Sequence, residues 1–366
     1  LTLRIAQAMD NAAGLVSAQR VEGRVGSLGN AKGKLEARDG LQLVVDDALD
    51  NSGGELLARD LGVTTGTLDN RSGRVQGDNS LLLDSRGRVL NTAGNLGARQ
   101  LTLNAASLDN AQGSLFASER LALVLGGVLD NAKGTLRSDR VLELQAGQVN
   151  NGDGGRISSA ELLSARVSGL DQRDDGQLLS QGSLTLDLGN GHLNNQGGRL
   201  NSPGQLLLSN VGSVDNRGGE ISSNLAFLLA ATTLDNGRGK LLSEQALTLR
   251  IAGLLDNSKG LVSAPTLDLR AGRLLNLSGS LSAGGGLTLD VDDTLDNREG
   301  KVLADNAVVR VGSLDNRQGL VQADSRLDLG GRAALDNRQG TLYAGQALEL
   351  RGASLDNGGG KLYGCL

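Results

Sequence analysis

The sequence reads as an all-β protein, a parallel β-helix (β-solenoid) of about 18 coils of about 20 residues each. Three observations predict this. An aliphatic residue, usually Asp, then Asn, recurs from Met9-Asp10-Asn11 to Leu355-Asp356-Asn357, nearly always with Gly three residues after the Asn. Between these words Leu-x-Leu alternation returns, and no stretch of ten residues places apolar side chains at helical spacing. Gly is abundant, 55 of 366 residues against a usual share of roughly 7%, and most of the excess sits at the repeat turns. A short period with a fixed turn signature marks a solenoid, in which each unit buries its apolar face only by stacking on its neighbours.

Taking 106–127 as a representative coil, three short strands separated by turns are expected. The first ends in the Asn word. Its aliphatic residue, two before the Asn, faces inward, so period-two alternation turns Asp109 outward and Asn110 inward. The second strand carries an aliphatic residue two after the Gly, as at Leu35, Val75, Leu115, Leu200, Ile221 and Leu342. The third is the Leu-x-Leu pair of Leu41 and Leu43, Leu101 and Leu103, Leu247 and Leu249, or Leu348 and Leu350. About four aliphatic side chains per coil thus reach the core, each contributing roughly 1.5–3 kcal/mol if fully buried. Coils running the same way round pair in parallel, and at ~4.8 Å per coil the whole array is expected to span about 85 Å.

The Asn has a physical role in such a stack. Amides at one corner of successive coils hydrogen-bond those above and below, which satisfies a buried polar group along the axis. Asn11, Asn51, Asn70, Asn110, Asn131, Asn216, Asn236, Asn257, Asn297, Asn316, Asn337 and Asn357 are assigned to this ladder. Asn30, Asn91, Asn151, Asn195 and Asn276 share the position, and Gln172 fills the one gap. Asn also tolerates the left-handed conformation, and the following Gly is expected to supply a second tight corner.

Spacing from Asn11 to Asn131 alternates 19 and 21 residues, so a pair of coils is the unit of duplication. The whole of 1–366 reads as a single array, with irregular coils over 146–214. There the word becomes Leu170-Asp171-Gln172-Arg173-Asp174-Asp175-Gly176, with the Gly displaced by one. Asp174, Asp175, His192 and Asn195 are the candidate binding-loop residues of this stretch, because longer corners of repeat arrays carry binding loops; drift of the duplication accounts for the same irregularity. The pattern is already running at Leu1-Thr2-Leu3, from which a fragment of a longer repeat array is expected.

Composition narrows the chemistry. With 36 basic and 41 acidic residues the balance is mildly negative, which gives no electrostatic reason to bind nucleic acid. One Cys, Cys365, precludes an internal disulfide, and one His leaves no His/Cys set for zinc. No apolar run approaches the ~18 residues of a membrane-spanning segment. Parallel β-helices include polysaccharide lyases, whose sites need converging carboxylates and a basic residue, often around a cation. The nearest candidates are Asp290, Asp292, Asp293 and Asp296, with Asp46, Asp47 and Asp50 as their counterpart. A solvated acidic edge is the expected reading, since near-identical words in two ordinary coils suit repetition better than one active site. No catalytic residue, cofactor or metal is assigned. Scarce aromatics, two Tyr and two Phe without Trp, argue against a lectin.

The units Leu314-Asp315-Asn316-Arg317-Gln318-Gly319, Leu335-Asp336-Asn337-Arg338-Gln339-Gly340 and Leu108-Asp109-Asn110-Ala111-Gln112-Gly113 resemble the filamentous haemagglutinin repeat. That repeat occurs in large exoproteins of Gram-negative two-partner secretion systems, both adhesins and contact-dependent growth-inhibition toxins. The resemblance implies export through an outer-membrane β-barrel partner, secretion or display at the cell surface, and no catalytic residue in the repeats. Two roles follow as expectations: a shaft that holds a distal adhesive or toxin module away from the cell, or a surface that itself binds a receptor on host or neighbouring cells.

Overall fold

The computed structural model describes residues 1–364, which are strands and turns without a helix. Cys365, for which no functional role is expected, lies outside the described residues. The chain divides into two compact units, Leu1–Gly182 and Ser183–Leu366. Each is a parallel β-solenoid with a spacing near 20 residues, and together they make about 18 turns.

In the first unit, strands Leu15–Gly29, Lys34–Asp50 and Glu55–Asp69 each run almost a whole coil. Three separate short strands appear only later, as in Thr135–Ser138, Val141–Gln145 and Gln148–Asn150. The expectation of three short strands per coil therefore holds for some coils and not others, because a corner bends through a register shift without interrupting the ladder. Pairing of 34–50 with 55–69 shows how. Leu35 opposes Leu56 and Ala37 opposes Ala58, the register slips before Gly40 opposes Asp60, and it slips again between Val45 and Ala48. One residue of a longer coil is absorbed at each of those two corners, so the inward set stays inward on both sides of the slip. The second unit repeats this architecture, with Lys301–Asp315 running unbroken and Arg199–Ser202, Leu206–Ser209 and Ser213–Asp215 separate.

The core is a set of stacked columns. Leu28, Leu49, Leu68, Val89 and Leu108 form one in the first unit, Leu234, Leu255, Leu274, Leu295 and Leu314 its equivalent in the second, all buried. Second-strand residues such as Leu35, Leu56, Val75 and Leu96 are fully buried, as are Leu247, Leu249, Leu267 and Leu269 of the third. Four residues after each Gly stands a small side chain. In the first unit this column changes from Ala37, Ala58, Ala98 and Ala117 to Ser138, Ser159 and Ser180, all buried. Sequence reading misses these serines, although aligning coils on the Gly would have brought them into one column. Their hydroxyls are satisfied within the corner: Ser138 donates to Glu119 O at 3.3 Å, and Ser159 and Ser180 are 3.2 Å apart.

Candidate functional site

The turn carrying the Asn word is the most repeated chemical feature of the chain. In the first unit Asn11 Nδ2 donates to Asn30 Oδ1, Asn30 to Asn51, Asn51 to Asn70, and so on to Asn131 and Asn151, each at 2.7 Å. In the second unit the chain of amides runs from Asn195 through Asn216 and Asn236 to Asn357 at 2.6–2.8 Å. Asn30 through Asn151 and Asn195 through Asn337 are buried. Each amide also meets backbone carbonyls, as Asn110 Nδ2 meets Gly113 O at 3.2 Å.

The backbone of the turn differs from expectation. The ladder Asn are not left-handed; the residue two beyond each of them is, for example Lys32 at φ 54°, Gln112 at 58° and Gln318 at 59°. The Gly that follows has no left-handed φ in the regular coils. It is required by space: a Cβ on Gly113 would lie 2.2 Å from Asn91 O and 2.5 Å from Asn110 Oδ1. Gly113 N donates to Asn110 O at 2.9 Å, which closes a four-residue turn with only its third residue left-handed, the pattern of a type II turn.

The Asp before the Asn does more than solvate the turn. In every described coil that has this Asp, its Oδ1 accepts the backbone N–H two residues on, at 2.8–3.2 Å. Asn150 and Asn194 do the same with their amide oxygens. Where Arg follows the ladder Asn it pairs with the Asp of its own coil, as Arg71 with Asp69 at 2.5 Å and Arg317 with Asp315 at 2.7 Å. Arg298, Arg317 and Arg338 also reach the Asp of the next coil, so Asp296, Arg298, Asp315, Arg317, Asp336, Arg338 and Asp356 form one continuous ionic chain with inter-coil contacts of 3.6–3.7 Å.

The neighbouring arginine sets the direction of the shift at Asp69, Asp315 and Asp336. Hydrogen bonds from Arg71 and Arg338 hold Asp69 and Asp336 below the usual carboxylate range. Burial pushes Asp315 up, but the Arg317 hydrogen bond and charge outweigh it and the net shift is downward. Asp235, whose coil has Gly237 in place of Arg, is raised, first by burial and then by the charges of Asp256 and Asp215.

The other candidate positions lie apart. Asp174 and Asp175 are exposed in the first unit, both left-handed at φ 56° and 66°, where the turn takes up its extra residue. In that coil the ladder changes hands: Asn151 Nδ2 donates to Gln177 O at 2.9 Å rather than to Gln172. In the second unit His192 opens the strand His192–Asn194 instead of lying in a loop, and its exposed Nδ1 is 2.8 Å from Ser213 Oγ. Nearby Asp215 is engaged by Arg217 at 2.5 Å, so it does not complete a Ser-His-Asp relay. Asn195 is no loop residue but a buried ladder amide.

The acidic edges do not converge. Asp46 pairs with Arg24 at 3.1 Å and Asp292 with Arg270 at 3.5 Å. The backbone carbonyls of Asp46 and Asp292 receive Arg86 and Arg332 from two coils on. Asp296, read from sequence as part of a solvated edge, is instead buried against Arg298. Among the described residues no group of three or more His, Cys, Asp or Glu is placed to hold a metal ion.

Comparison with curated proteins and with solved structures returned no significant match. The family model of the haemagglutinin repeat matches residues 1–53, 56–93, 96–167, 142–214, 179–259, 245–299 and 300–364, nearly the whole chain. Such repeats are characteristic of secreted or cell-surface bacterial proteins, and with the β-solenoid they fit a filamentous adhesin shaft. On seven matched segments and a coil built around the same Asn turn except at Gln172, the chain belongs to the haemagglutinin repeat family.

Proposed function

We propose that this chain is a structural shaft of a surface-displayed exoprotein of a Gram-negative bacterium, exported by an outer-membrane two-partner-secretion transporter. The shaft holds a distal adhesive or toxin module away from the producing cell. One observation carries this reading: the most regular residues of the repeat, the Asn, the Gly and the Asp, are all spent on closing the turn and stacking it on the next coil. Conserving a coil's geometry from one unit to the next serves extension, whereas a receptor site needs a local departure. Of the candidate departures, Asp174 and Asp175 are an adjacent exposed pair and His192 is an exposed strand residue.

Competition on cells tests it. Residues 1–364, added in excess, are expected to leave binding of the parent exoprotein to target cells unchanged. Displacement of the parent by the isolated segment would favour the second role, direct adhesion through the solenoid surface to a cell-surface receptor.

A further inference from the structure

Asparagine followed by glycine is chemically fragile. The glycine backbone nitrogen attacks the Asn side-chain Cγ, a new C–N bond closes a succinimide, the amide nitrogen leaves as ammonia, and water opens the ring to aspartate or isoaspartate. Within a ladder such a change replaces a donor amide by a carboxylate facing the next Oδ1. Three ladder positions carry this dipeptide: Asn151-Gly152, Asn236-Gly237 and Asn357-Gly358.

In all three the nucleophilic nitrogen is tethered. Gly237 N donates to Asp235 Oδ1 at 2.9 Å, Gly358 N to Asp356 Oδ1 at 3.0 Å, and Gly152 N to Asn150 Oδ1 at 3.2 Å. Coils in which the residue before the Asn has no acceptor side chain are those of Gly29, Leu90 and Leu275. Their Asn is followed by Ala31, Thr92 and Leu277, whose side chains hinder ring closure. Asn-Ser, the next least hindered pair, occurs at Asn51-Ser52 and Asn257-Ser258, and there too Asp50 and Asp256 accept the Ser amide at 2.8 Å. We propose that the Asp or Asn preceding the ladder Asn is a chemical guard: by holding the next backbone N–H it keeps that nitrogen from the Asn side chain and preserves the amide ladder over the life of an exported protein.

Residue Asn236 provides the test, since its side chain is buried and held by Asn216 at 2.6 Å and Asn257 at 2.7 Å, so burial is the competing explanation. The parent, Asp235→Asn, Asp235→Leu and Leu241→Ala are incubated at mildly alkaline pH, and deamidation at each Asn is followed by peptide mass mapping. Leu occupies the guard position naturally at Leu90 and Leu275, so the coil accommodates it. Loss of a hydrogen bond to a charged group is expected to speed deamidation of Asn236 by about tenfold in Asp235→Leu. Asp235→Asn, which keeps an acceptor oxygen, is expected to stay at the parent rate, with Asn151 and Asn357 unchanged throughout. Leu241→Ala loosens the same coil while leaving the guard in place. Equal acceleration in Leu241→Ala, or no acceleration in Asp235→Leu, would overturn the proposal.

Discussion

Gln318 and Gly319 are neighbours in one turn and carry opposite constraints. Gln318 holds φ 59°, a conformation that costs a residue with a Cβ roughly 1–2 kcal/mol, so Gln318→Gly is expected to raise the thermal midpoint by up to the equivalent of about 1 kcal/mol. At Gly319 a Cβ would lie 2.1 Å from Asn297 O and 2.5 Å from Asn316 Oδ1, so Gly319→Ala is expected to destabilise by about 1–3 kcal/mol in urea denaturation. A melt in which the two substitutions shift stability the same way would refute this division of labour. Asn110→Ala removes both an acceptor for Asn91 and a donor for Asn131, and a loss of about 1–3 kcal/mol is expected by the same measurement. The regularity of the Gly was legible in the sequence, but its reason was not: at Gly113 the clash is with the carbonyl of Asn91 in the preceding coil, 22 positions earlier (113 − 91 = 22).

Along the turn ridge Asp69 and Asp336 shift one way and Asp235 the other. Asp69 and Asp336 have depressed folded-state values, so the stability they contribute is present above the unfolded carboxylate value of about 3.9 and is lost as pH falls through the folded one. Asp235 has the opposite sign: its raised value penalises the folded state at neutral pH, and protonation on acidification relieves that penalty. Denaturant midpoints measured from pH 7 to pH 3 are therefore expected to fall, with Asp336→Asn flattening the slope. Asp235→Asn is expected to raise the midpoint at pH 7, and a lowered midpoint there would contradict the stated environment. Single exposed ion pairs stabilise by only about 0–1 kcal/mol each, so the ridge matters through its continuity from Asp296 to Asp356. Sequence showed the Arg two residues after the Asp. That one guanidinium also bridges to the next coil depends on the stacking distance, which no local pattern contains.

Each unit is a stack in which a coil's strands pair only with those of adjacent coils, while long side chains such as Arg86 and Arg332 reach two coils away, so stability sums over interfaces rather than around one centre. Deleting residues 71–110 joins Asn70 to Ala111-Gln112-Gly113 and restores the same turn after removal of two coils. That variant is expected to fold with strand content by circular dichroism in proportion to its length and a midpoint within a few degrees of the parent; unfolding on deletion would show that the coils are not interchangeable. By itself the sequence determined the solenoid class, the inward aliphatic columns and the family, because period and alternation are properties of a single coil and recur often enough to be read without a partner. The tertiary structure alone decided which corners bend without breaking a strand, that Gly is needed for space and not for φ, that the Asp tethers an amide, and that His192 stands on a strand. The Asp tether spans two residues and depends on the backbone angles of its turn; the other facts arise from atoms about one coil apart along the axis and some 20 residues apart in the chain, where contact is set by stacking and register rather than by neighbouring letters.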